Sequence, residues 1–513
     1  MKKHLIKSVL ALFTSIILFQ TAHAEEEYRP GYLQAVINVN ENIPIEKSTI
    51  FDASKSFIPD PSRKMSYSWD FGDGNRNEGV EVLHSYKQPG RYTISLTISD
   101  GAETQQAFLE IFAYRKMILL ITDQTEVEDR IEIIKDFAEK KGVFINVVDS
   151  FGSSTEFISE EVLAKKLNEG SSELKNAKEL VIWTQENAGL NAISRYLQNS
   201  DKKNLASFKD KTIVNLQELN SSTINRIQRQ FEIIKPKNIV LAKEAAIYAL
   251  IDSNNQEEFI NILEKGGYEY EIVDSKSGKI RPWNFMTYFV NLLINKGIPD
   301  NTIALLLLLP VIVTIVAFMK QVVGVTTFGI YTPSIITLSF LIIGMHAGLL
   351  TLISAVIIGI LVMPILKRIR MLYFPKMAIL IIMFSLTLLL ILIASTYMRL
   401  FDAQFLSIAI FPMLILSTLV EKFISVKTEK GLNSAAALMA ATILVAIIAY
   451  FFVGGEINLG FVKFKFDFIK GIIMSYPEII FLLIIVNLLL GKWTGLRLLE
   501  RMRFREVLRH IEE

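Results

Sequence analysis

The stretch IPDNTIALLLLLPVIVTIVAFMKQVVGVTTFGIYTPS, Ile298–Ser334, decides the architecture of this chain. From Thr302 to Met319 its only polar side chains are Thr302 and Thr314. At about 1.5 Å per residue, a helix of that length crosses a hydrocarbon core of roughly 30 Å. Before it the sequence is polar and patterned like globular domains; after it, apolar runs dominate to the end. The stretch is a border between two solvents.

Beyond this border, apolar runs recur at about 328–345, 347–366, 376–397, 403–421, 435–453 and 474–491, which with 301–319 make seven spans. The membrane module is therefore expected over 298–492, followed by a basic tail over 493–513. Lys and Arg concentrate in alternate connections: Lys320; Lys367, Arg368, Arg370 and Lys376; Lys422, Lys427 and Lys430; and the tail from Lys492 to Arg509. This bias places those connections and the carboxyl end in the cytoplasm and the preceding soluble half outside. The 454–471 connection departs from the bias through Lys463, Lys465 and Lys470, and its alternating phenylalanines suggest a short amphipathic hairpin. Within the spans, Glu478 is the ionisable residue that most suggests a functional role, and Asn487 suggests an interhelical hydrogen bond.

Toward the amino end, residues 276–297 join the two halves. Trp283–Ile294 reads as an interfacial segment, because its aromatics favour headgroup depth and the run is too short to span. A buried helix of the soluble half is the other reading. Residues 1–24 combine Lys2, Lys3 and Lys7 with an apolar run and Ala22-His23-Ala24, the pattern of a cleaved signal peptide or, if uncleaved, an anchor helix. Residues 30–113 alternate in strand fashion, most clearly at Tyr92, Ile94, Leu96 and Ile98.

Residues 116–275 instead show short continuous apolar runs, such as Met117–Thr122, Val143–Val148 and Glu179–Thr184, separated by amphipathic helical stretches. That is the pattern of a doubly wound open α/β sheet buried on both faces. Ligands of such sheets bind beyond the carboxyl ends of the strands. The candidates are Asp123 and Gln124, Asp149 and Ser150, and Gln185 and Glu186, each of which also reads as a strand-end turn. No glycine-rich phosphate loop follows the first strand, where Thr125 suggests a helix cap instead.

Two resemblances accompany these patterns. Tyr67-Ser68-Trp69-Asp70-Phe71-Gly72-Asp73-Gly74, His84-Ser85-Tyr86, Gly90-Arg91-Tyr92 and Asp100-Gly101 resemble a PKD domain, which implies an immunoglobulin-like β-sandwich used for binding or spacing. Asp70 and Asp73 read as turn formers, with a calcium site as the sharper alternative. Leu309-Pro310, Val322-Val323-Gly324, Phe328-Gly329-Ile330-Tyr331-Thr332-Pro333, Phe411-Pro412-Met413, Glu421, Gly495-Leu496-Arg497 and Arg503-Phe504-Arg505 resemble a bacterial seven-transmembrane module usually fused to an inactive transglutaminase-like domain. This resemblance implies a multidomain, non-catalytic membrane protein and marks Gly324, Gly329, Thr332, Pro333, Pro412, Glu421 and Glu478 as motif positions. The chain departs from the family in carrying PKD-like and α/β segments outside the module.

Composition narrows the function further. The formal charge of +2 over 513 residues supplies no concentrated basic face, so no nucleic-acid partner is expected. Without cysteine there is neither a disulfide nor a thiolate site, and the five scattered histidines form no metal motif. No metal, no cofactor and no catalytic constellation are expected. The reading is a bacterial inner-membrane protein whose periplasmic domains bind an envelope protein, peptide or glycan. The seven-helix module, in contact with membrane lipid, anchors or couples that event, and the basic tail is open to a cytoplasmic protein partner. Transport or flipping of a small or lipid-like substrate is the alternative.

Overall fold

The computed structural model describes residues 33–503, apart from short stretches, chiefly 59–63, 199–207, 218–220, 274–284 and 459–462, and apart from most of 369–402. The expected signal peptide, the 376–397 span and the last residues of the tail lie outside the described residues. Contacts divide the chain into two compact units, one built on the amino-terminal strands to Lys116 together with Gly142–Phe144, the other on the remainder.

The first unit is a β-sandwich. A five-stranded sheet has the order β1 (Asn42–Pro44), β7 (Thr104–Tyr114), β6 (Gly90–Ser99), β3 (Ser66–Asp70), β4 (Arg76–Glu78); a second pairs β2 (Thr49–Asp52) with β5 (Glu81–His84). The strand alternation has its physical counterpart in β6, where Ile94, Leu96 and Ile98 are fully buried and the residues between them are not. Trp69, Phe51, Phe71 and Tyr86 fill the core, with Trp69 and Phe71 stacked at 6.3 Å between ring centroids. Their polar atoms are paired: Trp69 Nε1 donates to Gly79 O at 2.9 Å and the Tyr86 hydroxyl to Phe71 O at 2.8 Å.

Asp70 and Asp73 act locally. Asp70 accepts from the Gly72 amide at 3.0 Å and Asp73 from the Asn75 amide at 3.0 Å, the geometry of side-chain-closed turns. Asp73 also pairs with His84 Nε2 at 2.9 Å. Among the described residues no group of three or more His, Asp or Glu is placed to hold a metal.

The second unit opens with the α/β sheet. Its strands are β8 (Lys116–Thr122), β9 (Val143–Asp149), β10 (Glu179–Trp183), β11 (Thr212–Leu216), β12 (Asn238–Ala242) and β13 (Tyr270–Val273). The helices between them are α1 (Glu128–Lys140), α2 (Glu156–Glu169), α3 (Ser171–Asn176), α4 (Ala188–Gln198), α5 (Ser221–Ile234), α6 (Ala246–Asp252) and α7 (Gln256–Lys265). The spatial order is β13-β12-β11-β10-β8-β9; β8 with β10, β10 with β11 and β11 with β12 pair parallel, and β13 pairs antiparallel with β12 at the edge. Strand order reverses between β8 and β10, which makes that gap the topological switch point. β10, β11 and β12 are buried at every residue, the reason their sequences are dominated by apolar residues, with Asn215 buried within β11. Gly189 lets α4 close onto β10; a Cβ there would lie 2.6 Å from Ile182 Cγ2.

The same unit continues into α8 (Phe285–Asn295), α9 (Asp300–Phe318), α10 (Tyr331–Ile343), α11 (Met345–Arg368), α12 (Ala403–Phe452), a hairpin of β14 (Glu456–Asn458) and β15 (Lys463–Lys465), then α13 (Phe468–Ser475), α14 (Ile479–Gly491) and α15 (Leu498–Arg503). Helix α8 buries Val290 and Ile294 while Phe285, Tyr288 and Phe289 are exposed.

Span-like helices occur at α9, with its extension to Val323, at α11 and in the second half of α12. Helix α12 contains two expected spans broken at Gly431, whose φ is 84°. Helices α10 and α14 hold 13 residues each, shorter than expected. Gly329 and Gly344, both at positive φ, bracket α10, and the Pro477-Glu478 turn delays α14. The hairpin over 454–471 forms as the alternating phenylalanines suggest. Asn487 Nδ2 donates to Thr314 Oγ1 at 2.7 Å, so this polar residue ties α14 to α9.

Candidate functional site at the sheet edge

The carboxyl ends of β8, β9 and β10 converge on one hydrogen-bonded cluster. Asp123, directly after β8, accepts from the Gln185 amide at 2.8 Å through Oδ1 and from the Ser159 hydroxyl at 3.2 Å through Oδ2. Ser159 on α2 is 2.7 Å from Ser150 at the end of β9, oxygen to oxygen. Three strand ends are thus linked through one carboxylate. Burial raises the Asp123 pKa to about 7, and the neighbouring Glu156 carboxylate adds to the rise; the two hydrogen bonds oppose it without cancelling it.

Glu186 enters the cluster by a different route. Lys470, at the start of α13, places Nζ 2.5 Å from Glu156 Oε2 and 3.0 Å from Glu186 Oε2. All three side chains are nearly excluded from solvent, at 10–14 % exposure. Burial alone would lower the lysine pKa, yet the two carboxylates outweigh it and hold the ammonium above its usual range. Glu186 adopts a left-handed backbone at φ 49°, a costly conformation for a residue with a side chain. The cluster also accounts for one of the three lysines that make the charge exception in the 454–471 connection. Lys470 is not a topology signal at a membrane surface, because it balances two carboxylates of the α/β domain.

Helix α2 works as a two-sided plate. Leu163 and Leu167 pack toward the sheet, while Ile158 and Val162 join the core formed with α9, α10 and α12. Its cap, Thr155, accepts from the Ile158 amide at 3.4 Å and donates its hydroxyl to Ile342 O at the end of α10, 2.7 Å away.

Between these walls lies a cavity of about 520 Å³. Asp123, Gln124, Ser159 and Gln185 form its polar side; Leu308, Leu341, Met345, Ala347 and Tyr450 supply the membrane side. Of the sequence candidates, Asp123, Gln124 and Gln185 line the cavity, Ser150 supports it through Ser159, and Glu186 reaches it through Lys470. Asp149 turns away and pairs with Lys166 at 3.2 Å. Thr125 does not cap a helix as expected, because a 3₁₀ turn over Thr125–Val127 precedes α1; its hydroxyl accepts instead from the Gly152 amide at 3.5 Å. Glu156, Ser159, Lys470 and the rim residue His346 escaped the sequence reading, since no local pattern distinguishes them. The unmatched lysines of the 454–471 connection were the one available signal.

The motif positions of the membrane module gather elsewhere. Gly324 closes a π-turn over Met319–Val323 at φ 92°, with the Arg497 side chain against it; a Cβ there would lie 3.0 Å from Arg497 Cβ. Gly329 turns the chain at φ 84° into α10, and Pro333 sits in the first turn of that helix, where no amide donor is needed. Thr332 accepts from Lys422 Nζ at 2.7 Å and bonds Phe328 O, and the Phe328 amide reaches Thr442 on α12. The turn from Phe328 to Thr332 is thus packed against α12. Pro412 and Glu421 lie within α12, and Glu478 lies in the turn before α14, at the end of the expected seventh span rather than inside it.

Residues 284–508 match a family model described as seven transmembrane helices usually fused to an inactive transglutaminase, and residues 34–112 match a PKD domain. The chain thus carries a PKD domain ahead of that seven-transmembrane module. It is also similar to collagenase ColA of Clostridium perfringens, 34% identical over 68 residues, and to a microbial collagenase of Vibrio alginolyticus, 35% identical over 72 residues. These stretches are 13% and 14% of this chain and 6% and 9% of those proteins, so the chain spans less than a tenth of either relative.

Proposed function

We propose that this chain is a non-enzymatic receptor of the bacterial inner membrane. Its periplasmic PKD and α/β domains bind an envelope ligand, and the membrane module takes part in that site. The Lys470 contact to Glu156 and Glu186 carries the reading, because it joins the ligand-binding edge of the sheet to the module by a buried charge cluster. Occupancy of the cleft then acts directly on the ends of α10, α11 and α12 without an intervening linker.

The absence of cysteine makes a clean test available. In a Gln124→Cys, His346→Cys double variant, a short thiol crosslinker applied to intact membranes joins the two cavity walls if cleft and module share one site. A membrane-impermeant maleimide labels His346→Cys from outside and spares Lys427→Cys if the exported orientation is right. Failure to crosslink in functional membranes removes the shared site; reversed labelling removes the periplasmic assignment. The transport alternative has weaker support, since Glu478 lies at a helix end and Asn487 is engaged with Thr314.

A further inference from the structure

We propose that the sheet-edge cavity is the headgroup site of a membrane lipid bearing a primary ammonium, with its acyl chain lying along one face of α11. The inference rests on the shared-site reading above and adds the ligand's chemical class.

Charge is the first argument. Asp123, Glu126 and Glu156 all line the cavity, whereas its one lysine, Lys470, is already held by Glu156 and Glu186. An anionic headgroup would find no spare buried cation and several carboxylates. The amino end of α2 would ordinarily favour an anion, but Thr155 and Glu156 occupy it. Asp123 has two oxygens and spends one hydrogen bond on each, which leaves lone pairs for an ammonium.

Shape is the second argument. The cavity is polar on the α/β side and apolar on the membrane side, and about 520 Å³ accommodates a headgroup but not a whole lipid. It also opens sideways: Leu350 lines it yet is 54% exposed. Leu350 begins a stripe with Ile353, Ile357 and Leu361 on one face of α11, all exposed. A chain leaving the cavity therefore meets continuous apolar surface. A soluble amine would make no use of that stripe, and a lipid uses both.

The test compares dioleoyl phosphatidylethanolamine, phosphatidylcholine and phosphatidylglycerol on the full-length protein in detergent, with retained lipid counted by native mass spectrometry. The ethanolamine lipid is expected to be retained about tenfold over either of the others, the ratio given by one charge-assisted contact. Asp123→Asn and the cavity-filling Ala347→Phe should each abolish the preference. Equal or better retention of the glycerol lipid overturns the proposal, and so does a preference that survives both variants. If no lipid is retained while the Gln124→Cys, His346→Cys crosslink still forms, the headgroup assignment fails and the shared site stands. If the crosslink does not form, the shared site fails, and any lipid preference then belongs elsewhere.

Discussion

The β-sandwich of the first unit and the sheet-edge cluster of the second solve the same problem, holding distant segments together, by opposite means. In the sandwich, burial is apolar and aromatic, and Asp70 and Asp73 close turns two residues away, on Gly72 and Asn75, with Asp73 also reaching His84. At the sheet edge, charges themselves are buried, and each is balanced by a residue far along the chain; Glu156 and Lys470 are 314 positions apart. An apolar core tolerates loss of one side chain as a cavity. A buried ion cluster that loses its cation keeps uncompensated charge, and so responds to pH and to ligands in a way the sandwich does not.

The largest expected effects set the two regions directly against each other. Trp69→Ala removes the biggest buried side chain of the sandwich and should cost about 3–5 kcal/mol there. Hydrogen exchange should rise across β3, β6 and β7 while the Gln124→Cys, His346→Cys crosslink is unchanged; loss of the crosslink would break the separation drawn here. Lys470→Met should cost about 3–5 kcal/mol through the two carboxylates left behind. Exchange should then rise in α2 and α13 and not in the sandwich. Adding Glu156→Gln and Glu186→Gln should restore much of the loss, and no restoration would mean that Lys470 acts by packing rather than charge.

A smaller effect follows from Asp123. Its folded pKa of about 7 lies above the ordinary carboxylate value, so the folded state binds this proton more tightly than the unfolded one. The stability it contributes is complete below the unfolded pKa and is lost as pH rises toward about 7, because ionisation then puts a charge into a buried site and, to a lesser degree, beside the Glu156 carboxylate. Lys470 stays protonated over that range and cannot produce the same trend. Thermal denaturation of the full chain from pH 4.5 to 8 should show this decline, and Asp123→Asn should flatten it; an equal decline in the variant would assign it to other groups. Smallest of all, Asn487→Leu removes one interhelical hydrogen bond to Thr314 and should cost about 0.6 kcal/mol. A loss several times larger, measured by unfolding in detergent, would mark Asn487 as part of a polar path through the module.

Local pattern made much of this legible. Strands β10, β11 and β12 could be read because a strand buried on both faces is mostly apolar, even though β11 buries Asn215 within its run, and the longer spans because hydrocarbon demands unbroken apolar length. The rule that ligands lie beyond strand ends singled out Asp123, Gln124 and Gln185, all of which line the cavity. It also singled out Asp149, which turns to Lys166, because the rule specifies a position and not the direction of a side chain. The shortness of α10 was concealed by hydropathy, which counts apolar residues and overlooks the glycines that end a helix.

By itself, then, the sequence determined the order of the parts: strands that pair as a PKD sandwich, a doubly wound sheet and a seven-transmembrane module, each following from periodicity, turn residues and apolar length, all local quantities. Only the tertiary structure decided that the switch point of the sheet faces α10, α11 and α13, and that Lys470 answers Glu156 and Glu186. The reason is physical. A lysine on an apolar stretch and a glutamate at a helix start look the same in sequence whether solvated or buried, and only folding removes the water that would otherwise have satisfied them.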